Sequence, residues 1–364
     1  MSIPSFRIWK SVSYNRSNWK KYFNWFKLGG DIDGDNADDM SGTSVSLNAA
    51  GNIVAIGAPR SDSNGNNSGE VKIYEYVEGG GWNQLGSDIA GDAAGDESGT
   101  SVSLNAAGNI VAIGSPKSDI NGGDSGEVKI YEYVEGGEWI QLGSDIAGDD
   151  KGDNSGTSVS LNAAGDVVAI GSPYHSSLDY KGQVRVFDYA SGSWTQRGSF
   201  IFGEVLSLFG NRVSLNAEGN IFIAGAVSDG VSPLLDSGSA SVYYWGGSTW
   251  EKRGKKLTGL YYNDYFGTSV SINDAGNIIA IGQQNIDAEG PTPNTKGRVN
   301  VYSWSGSSWK RRDGIEGETQ DDAASGISVD LNASGNIVAG GAPQNDDNGS
   351  NSGHVRVYRW RYSE

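Results

Sequence analysis

A chain of 364 residues with no Cys and a formal net charge of −17 excludes a disulfide framework, thiolate metal centres, Cys nucleophiles and the basic surface that non-specific nucleic-acid binding needs. Gly at 55 positions and Pro at 8, beside 37% hydrophobic residues, describe short strands joined by many tight turns, an all-β composition. No apolar run is long enough to span a bilayer, so no membrane insertion is expected, and the start MSIPSFRIWKSVSYNRSNWKKYFNWF lacks the apolar core of a secretory signal.

The first predicted unit, residues 1–24, is a basic and aromatic arm. Up to residue 30 the chain carries Arg7, Lys10, Arg16, Lys20, Lys21 and Lys27 and no acid. Such an arm either offsets the acidic body it packs on or docks on another subunit or acidic surface, with Arg7, Lys10, Arg16, Lys20 and Lys21 as the docking residues. From Trp25 the sequence WFKLGGDIDGD matches WNQLGSDIAGD from Trp82 and WIQLGSDIAGD from Trp139, position for position.

Internal repetition organises everything that follows. GTSVSLNAAGNIVAIG begins at Gly42, returns from Gly99, and appears as GTSVSLNAAGDVVAIG from Gly156; looser copies start at Gly210, Gly267 and Gly326, at spacings of 57, 57, 54, 57 and 59 residues. Each unit predicts four strands. In the first unit Val45 and Leu47 alternate with serines and end in a hairpin closed by Gly51; Ile53 to Gly57 is continuously apolar, as in a strand packed on both faces. A polar loop leads to a third strand, Val71 to Tyr76, and a Gly-rich turn to a fourth that starts at Trp82 and runs through Leu85 to Ile89.

A sheet apolar on both faces cannot stand alone, so copies must pack face to face around an axis. The expectation is an all-β, six-bladed β-propeller of four-stranded antiparallel blades, one domain over residues 25–364. The last copy ends after its third strand, so residues 25–34 are expected to supply its outer strand and close the ring. The pattern of FG or SG, an apolar strand, GAP and a GxVxIY strand resembles the FG-GAP repeats of integrin α-subunit propellers, with Phe209-Gly210, Phe266-Gly267, Gly57-Ala58-Pro59 and Gly341-Ala342-Pro343 as the clearest elements. That resemblance implies the fold and, weakly, a surface-recognition role. It departs from the family at the calcium loop, where NAAGN and its variants are too short and too poor in carboxylates to wrap the ion.

Other loops do carry oxygen donors. SDSNGNNSG from Ser61, SDINGGDSG from Ser118 and NDDNGSNSG from Asn345 emerge on the same face as GDAAGDESG from Gly91 and GDDKGDNSG from Gly148. Asp62, Asp119, Asp124 and Asp346 either form Asx-turns with their own backbone or bind calcium; no cofactor is required otherwise. Trp82, Trp139, Trp194, Trp250 and Trp309 recur once per blade, either packed between blades or flooring sugar-stacking pockets. The two histidines, His175 and His354, occupy non-equivalent positions, which argues for solvated residues and against a Ser-His-Asp triad.

These features point to a non-enzymatic propeller that recognises a protein partner or surface glycan at a cell or virion surface, as a subunit of a larger assembly. A multivalent glycan-binding lectin is the first alternative and a carboxylate-dependent glycoside hydrolase or lyase the second. An enzyme should betray itself by one asymmetric constellation in an otherwise repetitive ring.

Overall fold

The computed structural model describes residues 27–134, 136–175, 179–230, 236–285, 296–317, 326–343 and 354–360. These residues form strands and turns with no helix, arranged as a six-bladed β-propeller of antiparallel sheets. The arm residues Arg7, Lys10, Arg16, Lys20 and Lys21 lie outside the described residues, as does Asp346.

The second blade shows how the repeat builds a sheet. In its inner strand, Ser101–Leu104, the alternation sends Val102 and Leu104 to one face and the two serines to the other. The apolar pair packs on Val71 and Ile73 of the blade before. The serines bond to the blade after: the Ser101 hydroxyl donates to the Gly156 carbonyl at 2.7 Å, and Ser103 Oγ accepts the Leu161 N–H at 3.0 Å. The second strand, Ile110–Ser115, sits between two blades, with Val111 and Ile113 facing backward and Ala112 forward. Five apolar clusters of this kind join blades one to six in sequence.

Two recurrent polar or small residues explain the tight spacing. A Cβ on Gly114 would lie 2.0 Å from the Gly156 carbonyl oxygen, so only hydrogen allows the neighbouring blades to meet there. Asn105 staples its hairpin: its Oδ1 accepts the N–H groups of Gly108, Asn109 and Ile110, and its amide donates to Ala164 of the next blade at 3.3 Å. The NAAGN segment is therefore a structural hairpin cap, consistent with its poverty in carboxylates.

The predicted fourth strand is broken in two. In the first blade Gly81–Gln84 and Ile89–Ala90 both pair with Glu70–Val77. The last blade shows three strands among the described residues, ending in His354–Arg359. Lys27 to Gly34 carry no strand pairing among the described residues. They lie beside the first blade, where the Trp82 indole donates to the Leu28 carbonyl at 2.7 Å. Trp139 makes the same bond to Leu85 of the preceding blade, so Leu28 occupies the place of a fourth-strand end.

Candidate functional site

The predicted ligand residues fall into structural roles. The five recurrent tryptophans each donate the indole N–H to a carbonyl of the preceding segment: Trp194 to Leu142, Trp250 to Arg197 and Trp309 to Arg253, besides the two above. Each also lies edge-on or tilted against a third-strand aromatic, as Trp139 does on Tyr133 at 5.3 Å. Trp139→Phe keeps an aromatic ring but removes the donor and part of the packing, so urea unfolding should show a loss of at least about 1 kcal/mol. A loss of sugar binding exceeding that would instead favour the platform role.

The loop aspartates behave alike. Asp62 accepts the Asn67 N–H and Asp119 the Asp124 N–H, both at 2.8 Å, in the Asx-type geometry that pins each loop. Asp124 itself lies 3.6 Å from the Lys117 ammonium.

Behind these loops runs a recurring buried cation. Lys129 bonds to Asp92, with Glu127 at 3.6 Å and Asp145 at 4.0 Å; Lys72 is held likewise by Asp35, Glu70 and Asp88. Asp92, Glu127 and Asp145 are close enough to share a metal ion, but Lys129 already supplies their positive charge. Burial raises the Glu127 carboxyl to about 6, only partly offset by Lys129. An acid whose folded pKa exceeds its unfolded 4.5 contributes stability below that value and loses it as pH rises through about 6. Glu127→Gln should therefore gain up to about 2 kcal/mol over the wild type on going from pH 4.5 to neutrality, read by urea unfolding at both pH values.

The third blade breaks this pattern. At the repeat positions of Lys72 and Lys129 it has Arg185, at those of Asp88 and Asp145 it has Phe200, at those of Ala90 and Ala147 it has Phe202, and at those of Ser61 and Ser118 it has His175. Arg185 donates to Asp149 at 3.0 Å, to the Ala147 carbonyl at 2.7 Å and to Ser155 at 3.0 Å. Gln183 holds the other Asp149 oxygen at 2.7 Å.

Beside this group His175 Nδ1 lies 3.0 Å from Asp153 Oδ2. Asp153 is fully buried, and the same oxygen accepts the Asp150 N–H at 2.9 Å, the turn bond that Asp96 also makes in its blade. The repeat thus supplies the carboxylate, and a single substitution supplies its imidazole. Asp153 Oδ1 is buried with no hydrogen-bond partner among the described residues. The hydrogen bond to Asp153, outweighing burial, raises the His175 pKa above its ordinary 6.5. Donation through Nδ1–H assigns the proton to that nitrogen and leaves Nε2 as the base.

Exposed aromatic rings lie on the same loops as His175. Phe202 stacks on the imidazole at 5.5 Å and on Phe200 at 5.9 Å, while Tyr174 meets Tyr180 edge-on at 6.1 Å. The four rings are all exposed. The loops carrying them are tied together by the Leu206 N–H to the Asp179 carbonyl at 2.7 Å. Sequence reasoning read His175 as solvated; it is instead one-sidedly buried on a carboxylate. The signal was present in the repeat alignment, where one blade exchanges Ser and Asp for His and Phe.

A second asymmetric group lies in the central cavity, of about 1000 Å³, that the inner strands enclose. Asp330 stands there where the other five blades carry Ser46, Ser103, Ser160, Ser214 and Ser271. It is open to the cavity yet walled by protein, and desolvation raises its pKa. It accepts from Ser271 at 3.1 Å, and among the described residues that line the cavity Asp274 is the other titratable one.

No protein-family model matches the sequence, and no curated relative does. Among solved structures the chain is similar to a 6-phosphogluconolactonase assignment from Bacteroides uniformis, at a TM-score of 0.60 and 9% identity over 88% of this chain and 81% of that one. It is also similar to the periplasmic gluconolactonase of Pseudomonas aeruginosa, at 0.57 and 11% over 87% and 81%. Kuenenia stuttgartiensis hydrazine synthase matches at 0.51 and 11% over 91% and 99%. At such identities the likeness carries the propeller fold. It nevertheless corrects the expectation of a non-enzymatic attachment or virion module, because these similar propellers are named as enzymes, two of them lactonases.

Proposed function

We propose that the protein is a hydrolase of sugar-derived esters or lactones, acting at His175 and Asp153 on the loop face of the third blade. The observation that carries this reading is the His175–Asp153 bond beside the exposed Phe202 and Phe200 rings, residues by which the third blade departs from the repeat. Aromatic faces suit the apolar face of a sugar ring, and the imidazole Nε2 takes a proton from the attacking water. Asp153 fixes the tautomer and stabilises the imidazolium that forms. The lactonase names of the similar structures support the same bond type. The FG-GAP-like repeat supports the scaffold and is silent on the chemistry.

Glycoside cleavage is less well supported, because it needs two carboxyls free to act across one bond and Asp149 is held by Arg185 and Gln183. A metal-assisted route would draw on Asp149, Asp153 and His175, whose donor atoms lie within 4.8 Å of one another, yet Arg185 already neutralises Asp149.

The test is a panel of aldonolactones, with and without phosphate, together with aryl esters, assayed from about pH 5 to 9 around the His range. Hydrolysis should rise with pH through an apparent pKa above 6.5, since the raised pKa keeps the base protonated below it. No turnover on any lactone or ester would sink the proposal.

A further inference from the structure

Leu206 occupies a backbone position that the repeat reserves for other residue types. It stands four residues before the repeat glycine Gly210, where the other described copies of this loop carry Asp38, Gly95, Gly152 and Asn263. All five have positive φ, from 58° to 91°. Gly, Asn and Asp adopt that region at little cost, whereas the Leu side chain crowds its own backbone there. One recurring bond fixes the correspondence. The N–H of Gly95 donates to the Asn66 carbonyl at 2.9 Å, that of Gly152 to Gly123 at 3.0 Å and that of Leu206 to Asp179 at 2.7 Å. Burial does not offset the strain, because Leu206 is 56% exposed. Val205 beside it is 57% exposed and replaces Ala94 and Lys151. An apolar side chain that is both strained and wet contributes nothing to its own fold, so it marks contact with something outside the chain.

That contact lies at the loops of the third blade. Asp179 belongs to the loop that the Gly182 N–H closes on the His175 carbonyl at 3.4 Å. Beyond the Leu206 bond, the Ser207 hydroxyl donates to the Lys181 carbonyl at 2.9 Å and the Leu208 N–H to the Tyr180 carbonyl at 3.2 Å. The two loops are thereby fastened together. From the start of the same segment Phe202 stacks on the His175 ring and on Phe200. Between residues 200 and 206 the chain thus presents four exposed apolar side chains, one of them in contact with the imidazole.

We infer that this border seats an aliphatic acyl chain, so that the substrate of the His175–Asp153 site is an ester or lactone bearing one; this rests on the hydrolytic reading above. Val205 and Leu206 offer apolar area and no side-chain hydrogen-bond donor, which suits methylene groups and gives nothing to a phosphate or a bare polyol.

The test compares p-nitrophenyl acetate with p-nitrophenyl octanoate, below its micelle concentration, and an aldonolactone. It uses the full chain and Leu206→Gly, which restores the residue of Gly95 and Gly152. The octanoyl-to-acetyl ratio of kcat/KM should exceed about 10 in the wild type and fall about tenfold in Leu206→Gly, with Tm level or raised. Leu260→Ser, at an exposed leucine after the fourth blade, should keep the wild-type ratio. Turnover with no chain preference, or a preference that Leu206→Gly leaves intact, overturns the acyl-chain inference and leaves the hydrolytic reading standing. No turnover on any substrate overturns both. An equal fall in Leu260→Ser overturns the inference too, since the effect would not be local to Leu206. So does a Tm drop of more than about 2 °C in Leu206→Gly, which would show that this side chain packs on its own chain. A dimer that Leu206→Gly dissociates, read by sedimentation, would make a second copy the occupant and overturn it likewise.

Discussion

His175→Asn is expected to lower lactone or ester hydrolysis by about 10²–10⁴-fold with little change in KM, because it removes the proton acceptor while keeping the polar bond to Asp153. Asp153→Asn should cost a similar factor by a different route. With its oxygen at the Oδ2 position the amide still accepts the Asp150 N–H and the His175 Nδ1–H, but it carries no charge to stabilise the imidazolium. The pH profile separates the two variants from a general loss of structure. Residual activity of Asp153→Asn should show its pH limb shifted down, since the bond that raises the His175 pKa is weakened. Equal activity of wild type and His175→Asn would remove this pair from the chemistry and leave Asp330, in the central cavity, as the group to change next.

Phe222→Ala carries the largest expected cost in stability, about 3–5 kcal/mol. Phe222 is fully buried between the third and fourth blades. It stacks on Tyr243 at 5.1 Å and meets Trp250 edge-on at 5.0 Å. Its repeat counterparts are smaller, Val54, Val111, Val168, Ile279 and Val338, so the truncation leaves a cavity that rigid neighbouring sheets cannot collapse. Urea unfolding should place Phe222→Ala well below Ile279→Val, for which about 1 kcal/mol is expected. A cost for Phe222→Ala no greater than that of the control would show that this interface relaxes.

The correction of the recognition-module expectation has a definite physical origin. Recurrent residues dominated the sequence reading, and recurrence favours structure. Trp82 to Trp309 proved to latch one blade to the next, and Asp62 and Asp119 to pin their own loops. The residues with chemical potential are the departures from the repeat: His175 for Ser, Phe200 for Asp and Phe202 for Ala. Each was visible in the alignment of the copies, but none was adjacent to its partner in the chain. His175 and Asp153 are separated by 22 positions and belong to different loops.

The sequence by itself determined the repeat, its strand alternation and the propeller, because a period of about 57 residues with two apolar faces per sheet has no other compact solution. It also determined why Gly and Ser recur on the inner strands, where sheets come closest. Only the tertiary structure decided which repeated carboxylate gains a partner, since that depends on two loops meeting across the top of a blade. The motif shared by Trp25 and Trp82 states that a fourth strand precedes the first blade, while the bare walls of Leu47 and Val355 show that this side of the ring still has apolar surface to cover.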